Sequence, residues 1–154
     1  MTVSHFLAWS GHALFVTGVA DGVGGWALEG IDAGLYSKQL MNVTCKLTEG
    51  SDGRAPWDIL HAAHSSMGDQ LLGSCTACVV NVRGGTLEAA NLGDSGFTVW
   101  RFGQGAEDMD RSGNASAMGD LVHCRYASTP QTVQFNFPIQ IGAGSRATVR
   151  LERC

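Results

Sequence analysis

Asp21 and Gly22 are the residues of this 154-residue chain whose types and placement most directly suggest chemistry. They follow residues 13–20 (ALFVTGVA), a short, apolar, β-branched run that reads as a buried strand, and they open a glycine-rich turn, Asp21-Gly22-Val23-Gly24-Gly25. A carboxylate at the mouth of a buried strand is placed to hold a hard divalent cation. Such cations take oxygen ligands, backbone carbonyls among them, and small neighbours let water and substrate approach. The plainer alternative is a turn-capping aspartate. Gly93-Asp94-Ser95-Gly96 puts a second carboxylate in a tight turn between strands, which by itself reads as structural. His61 and His64 are three apart on a predicted helix, but no cysteine or acidic partner accompanies them, so they read as partly buried helix-face histidines. Cys75-x-x-Cys78 falls in a strand pattern, where residues three apart face opposite sides and cannot readily share one zinc ion. Residues 22–27 fit the loose dinucleotide fingerprint G-x-G-x-x-A. That fingerprint needs a helix opening inside the motif, and Trp26 and Gly30 intervene before any helical pattern. A nucleotide-binding oxidoreductase is therefore disfavoured. Trp57 and Trp100 read as packing residues.

These residues need elements to position them. Asp32 is a candidate helix N-cap, and Ala33, Tyr36, Leu40, Val43 and Leu47 then recur at spacings of three and four, one face of a helix. Pro56 suits a first helical turn, and Leu60, His64, Met67 and Leu71 give a second amphipathic helix ending before Gly73. From Gly73 the period changes to two. Strands are predicted over 75–82, 86–91 and 97–102, the first two joined by a Gly84-Gly85 hairpin turn. Residues 104–120 are polar and read as a surface loop, 121–127 as a further strand, 128–144 as irregular, and 147–152 as a final strand. The order predicts an α+β fold with two helices packed on one face of an antiparallel sheet.

Composition narrows the function classes. Hydrophobic residues make up 44% and charged residues 16%, which supports a packed core and excludes disorder across the whole chain. The net charge of -4, without a Lys/Arg run, argues against nucleic acid as a partner. No apolar stretch approaches the length of a bilayer span. The five cysteines, with no secretory or targeting signal before them, fit a reduced intracellular compartment.

Taken together, GVADGVGGW (18–26), DAGLYSKQLM (32–41), GSCTACVV (73–80), ANLGDSGFTVWR (90–101) and FNFPIQIG (135–142) resemble the metal-dependent protein phosphatases of type 2C. The likeness is to the branch typified by mitochondrial and plastid members. It implies a β-sandwich flanked by helices, here incomplete, and one domain over residues 1–154 that is truncated at both ends, without the family's upstream acidic motif or its late Asp-Gly and Asp-Asn motifs. It implies hydrolysis of phosphoserine and phosphothreonine in phosphoprotein substrates with two Mn²⁺ or Mg²⁺ ions, a hydroxide between them attacking phosphorus in line. Asp21 falls on the carboxylate that bridges both ions, Gly22 on the residue that offers its backbone carbonyl to one of them, and Asp94 on a position linked to a third, weaker metal. One bridging carboxylate cannot hold two divalent cations alone. The alternative expectation is therefore a non-catalytic phosphatase-like binding domain or a truncated isoform.

Overall fold

Two strands that the sequence reading divides differently come first. β1 (Thr2–Ser10) pairs antiparallel with β2 (Leu14–Gly22), from Thr2↔Gly22 to Ser10↔Leu14. No strand is predicted before residue 13. Polar residues such as His5 are compatible with one, since alternate residues of a strand face opposite sides. Phe6 is buried while His5 is exposed, and the Phe6 ring fills the space beside Gly18 where a Cβ would collide with it. The computed structural model describes residues 2–10, 14–49, 53–68, 70–102, 122–143 and 150–153. The predicted loop at 104–120 lies outside the described residues.

After β2 comes a short 3-10 helix, Gly24–Glu29, where the sequence predicts only a turn. It buries none of its residues and is closed by Gly30 at φ 73°, whose N–H bonds the Ala27 carbonyl at 3.1 Å. α1 (Ala33–Glu49) starts as predicted, with Asp32 Oδ1 accepting from the Gly34 N–H at 2.9 Å. Its buried face carries Tyr36, Leu40, Met41, Thr44 and Thr48. Thr44 meets its polar requirement locally, through a hydroxyl bond to the Leu40 carbonyl at 2.7 Å. α2 (Pro56–Met67) has Pro56 in its first turn and buries Ile59, Leu60 and Ala63. It stops short of the predicted Leu71 because Gly68, at φ 63° and ψ -173°, leaves helical space.

β3 (Ser74–Arg83) and β4 (Thr86–Leu92) form the predicted hairpin, with Gly84 and Gly85 both at positive φ in the two-residue turn. In the region predicted irregular, three short strands appear: β7 (Thr132–Gln134), β8 (Phe137–Pro138) and β9 (Ile141–Gly142). β9 pairs with the start of β3, through Ser74↔Gly142 and Cys75↔Ile141. The last strand, β10 (Arg150–Arg153), pairs with β4. The main sheet runs β1-β2-β3-β4-β10 with β9 beside β3, and its pairings among the described residues are all antiparallel. Both helices cover one face. Val16, Ala20, Ala77, Val79 and Leu92 from the sheet join Tyr36, Leu40, Met41 and Leu60 from the helices in one core. Full burial of a side chain the size of Leu40 or Leu60 is worth about 2 kcal/mol. This is the predicted α+β arrangement.

The chain divides into two compact units, Met1–Gly96 with Thr129–Cys154, and Phe97–Ser128. The second is a ribbon of β5 (Thr98–Phe102) and β6 (Val122–Ala127) with a bulge between Val99 and Trp100. The Phe97 and Tyr126 rings stack at 5.5 Å between centroids. Trp100, expected to pack, is 56% exposed, its indole N–H donating to Thr98 Oγ1.

Candidate metal centre

The end of β2 carries the two residues predicted for the site. Asp21 and Gly22 lie in the strand ladder, opposite Val3 and Thr2 on one side and Thr76 and Cys75 on the other, so the turn begins two residues later than predicted, at Val23. Val16, Ala20 and Gly22 face the helices, which puts Asp21 on the other face of the sheet. Gly22 is required by packing: a Cβ there would sit 2.5 Å from the Ala33 carbonyl oxygen, where the strand end meets the start of α1.

Asp21 Oδ1 is buried and, among the described residues, has no hydrogen-bond partner. A turn-capping aspartate, the plainer alternative above, would accept from the amides of residues 23–25. The structure differs, because the Val23 N–H is already committed to the Ser74 carbonyl at 3.0 Å. A buried polar atom without a partner costs about 1–3 kcal/mol, and more when charged. A cation is a chemically suitable compensation. The Asp21 charge is also felt next door: burial first, and that carboxylate second, push the Cys75 thiol up to about 12.

Asp94 follows β4, in the turn opened by Gly93 at φ 85°. Gly93 is locked in place, since a Cβ would meet the Ile139 carbonyl oxygen and Thr76 Cγ2, both at 2.5 Å. Asp94 itself is exposed. Thr76, opposite Asp21 on β3, reaches this turn through a 2.6 Å contact between its hydroxyl and that of Ser95. The two aspartates therefore stand at the same end of three adjoining strands, separated by two strand spacings, about 10 Å.

Sequence reasoning missed Asn91. It is fully buried, and neither Nδ2 nor Oδ1 of its side chain has a partner among the described residues. It lies opposite Cys78, two residues along β3 from Thr76, and so on the Asp21 face of the sheet. Its position in ANLGDSG, in a strand of period two, was the available signal. His61 and His64 are not brought to this site. His64 Nδ1 shares a 2.9 Å hydrogen bond with the Tyr36 hydroxyl, and the exposed His61 lies against Trp57 with ring centroids 5.2 Å apart. Cys75 and Cys78 are both buried, on opposite faces of β3, as their spacing predicts. The antiparallel pairing of β2 with both of its neighbours removes the dinucleotide reading, which needs a parallel unit.

No family model matches the sequence. Among curated proteins, the chain is 41% identical over 133 residues to protein phosphatase PTC7 homolog fig of Drosophila ananassae, a match covering 82% of this chain and 34% of that protein. It is 38% identical over 143 residues to probable protein phosphatase 2C 55 of Arabidopsis thaliana, covering 92% of this chain and 26% of that one. The chain belongs to the type 2C protein phosphatase family. Its fold agrees. The X-ray structure of the photosystem II phosphatase PBCP superposes with a TM-score of 0.73 at 23% identity, over 99% of this chain and 53% of that one. The chain thus spans about a third of the length of these curated type 2C relatives.

The divalent metal of type 2C phosphatases fits what is present at Asp21. The orphaned oxygen is a hard anionic donor, and the carbonyl of Gly22 is adjacent in the chain. Among the described residues no three His, Cys, Asp or Glu side chains group as a metal site.

Proposed function

We propose that this chain is the Asp21-bearing portion of a metal-dependent protein serine/threonine phosphatase. What carries the reading is the buried, unpartnered Oδ1 of Asp21 at the end of β2, in a chain of this family. Asp21 and the Gly22 carbonyl would hold Mn²⁺ or Mg²⁺, with Asp94 a candidate for a further, weaker ion. When bound, the metal supplies Lewis-acid neutralisation of phosphate charge and acidification of water. The protein's own part is positional. The β2–β3 ladder fixes the Asp21 backbone, the Gly22 contact with α1 sets the depth of the strand end, and the Thr76–Ser95 contact ties the Asp94 turn to the same edge. Phosphoserine and phosphothreonine proteins are the proposed substrates. Among the described residues no helix is long and apolar enough to cross a membrane. The proposed location is intracellular, in a mitochondrion or plastid, as in the branch the sequence resembles.

A second reading, a phosphatase-like binding domain without turnover, is favoured by the lack, among the described residues, of a group of three His, Cys, Asp or Glu side chains at the site. Hydrolysis of p-nitrophenyl phosphate and of a phosphoserine peptide separates the two. The 154-residue chain is expected to turn both over slowly. A protein extended to the length of its relatives is expected to turn them over with strict dependence on Mn²⁺ or Mg²⁺, and Asp21→Asn in it should abolish turnover with the circular dichroism spectrum intact. Full activity in the extended Asp21→Asn protein would overturn the role of Asp21. Phosphopeptide binding without turnover in the extended protein would establish the second reading.

A further inference from the structure

Both ends of the loop that leaves the candidate site are tied to one residue. Directly after Gly22, the Val23 N–H donates to the Ser74 carbonyl at 3.0 Å, extending the β2–β3 ladder by one rung. Three residues on, the Trp26 indole N–H donates to the Ser74 hydroxyl at 2.7 Å. Within the loop, the Trp26 backbone N–H closes back on the Val23 carbonyl at 3.3 Å. The Ser74 hydroxyl in turn donates to Gln140 Oε1 at 2.8 Å, so it accepts one bond and donates one. Ser74 is 7% exposed and is wedged beside Gly142, where a Cβ would lie 2.8 Å from the Ser74 Cβ. The intervening Gly24 and Gly25 have open space around them, so packing does not define the path of this loop. Two bonds to Ser74 do.

We infer that Ser74 is the positioning residue of the Asp21–Gly22 cation site, acting through Val23 and the Trp26 indole rather than by touching the ion. The inference rests on the proposed metal role of Asp21. The Ser74 carbonyl fixes the chain just after a ligand carbonyl, and its hydroxyl holds the same loop again at Trp26, as the outer shell of a metal site does, where loss of one partner typically costs at least tenfold in affinity. The hydroxyl also fixes where the Trp26 side chain stands. The glycines alone would leave that segment free to sample many conformations.

The test is Mn²⁺ affinity of the 154-residue chain, by titration calorimetry and by the paramagnetic resonance signal of the ion, read beside the thermal midpoint. Ser74→Ala and Trp26→Phe, which remove the acceptor and the donor of the same bond, are each expected to weaken Mn²⁺ about tenfold. The double variant should be no weaker than the worse single one, and Ser74→Thr should restore most of the affinity. Wild-type binding with unchanged affinity in both single variants, even with a lowered thermal midpoint, would overturn the inference alone and leave Ser74 as a packing residue. Absence of Mn²⁺ binding in the wild type would overturn both this inference and the metal role of Asp21.

Discussion

Asp21-Gly22 and Gly93-Asp94 are two glycine–aspartate pairs at one end of the same sheet, and what matters for holding a cation is how their aspartates differ. Both glycines are buried, and at both a Cβ would strike a carbonyl oxygen 2.5 Å away, Ala33 in one case and Ile139 in the other. The aspartates are unlike. Asp21 sits within the strand ladder with a buried oxygen lacking a donor, whereas Asp94 is exposed in its turn, free to be solvated. Glycine packing therefore does not separate a site from a turn, since it is the same in both. What separates them is an unmet electrostatic requirement, because a buried carboxylate oxygen needs a cation or a donor and an exposed one does not.

Substitutions can sharpen this contrast. Gly93→Ala combines a left-handed backbone with a collision against backbone and Thr76, and chemical denaturation should register a loss of about 2–4 kcal/mol. Gly22→Ala meets only the collision and should cost about 1–3 kcal/mol. Equal and small effects at both would mean that the strand ends are less constrained than described. The field of Asp21 has its own signature in Cys75. Below pH 9.0, its ordinary value, this thiol is protonated whether the chain is folded or unfolded, and it contributes no pH dependence. From there to about 12 the unfolded thiol ionises while the folded one keeps its proton. Stability of the wild type relative to Cys75→Ala should therefore fall with rising pH in that window, by at most about 1.4 kcal/mol per pH unit. A flat difference would contradict the burial of Cys75 beside a charge. The smallest effect is expected at Gly24→Ala, within about 0.5 kcal/mol, because nothing lies within 4 Å of its would-be Cβ.

Much of this molecule was legible in the sequence where one local signal dominates. The Asp32 cap, Pro56, the Gly84-Gly85 turn and the change of period at Gly73 each name their element, and each element stands within a few residues of its prediction. Elements whose cause is tertiary were not legible. β1 owes its strand to pairing with β2 and to the vacancy that Gly18 leaves for Phe6. The 3-10 helix Gly24–Glu29 has no apolar face and is anchored by one indole hydrogen bond to a residue 48 positions away. β9 exists because it meets the start of β3. At the site, the identity of Asp21 could be read from its motif, while its orphaned oxygen could not. That required knowing that the Val23 amide is spent on Ser74. Asn91 was harder to read for a related reason: its place in ANLGDSG marks a strand position, but a polar residue in a strand pattern gives no sign of being sealed in.

Mn²⁺ titration of the 154-residue chain, with Asp21→Asn and Asp94→Asn beside the wild type, tests the central claim most directly. The account predicts a weak but measurable binding event in the wild type, its loss in Asp21→Asn, and its retention in Asp94→Asn, with folding unchanged in both variants. Binding that survives in Asp21→Asn, or that disappears only in Asp94→Asn, would contradict it.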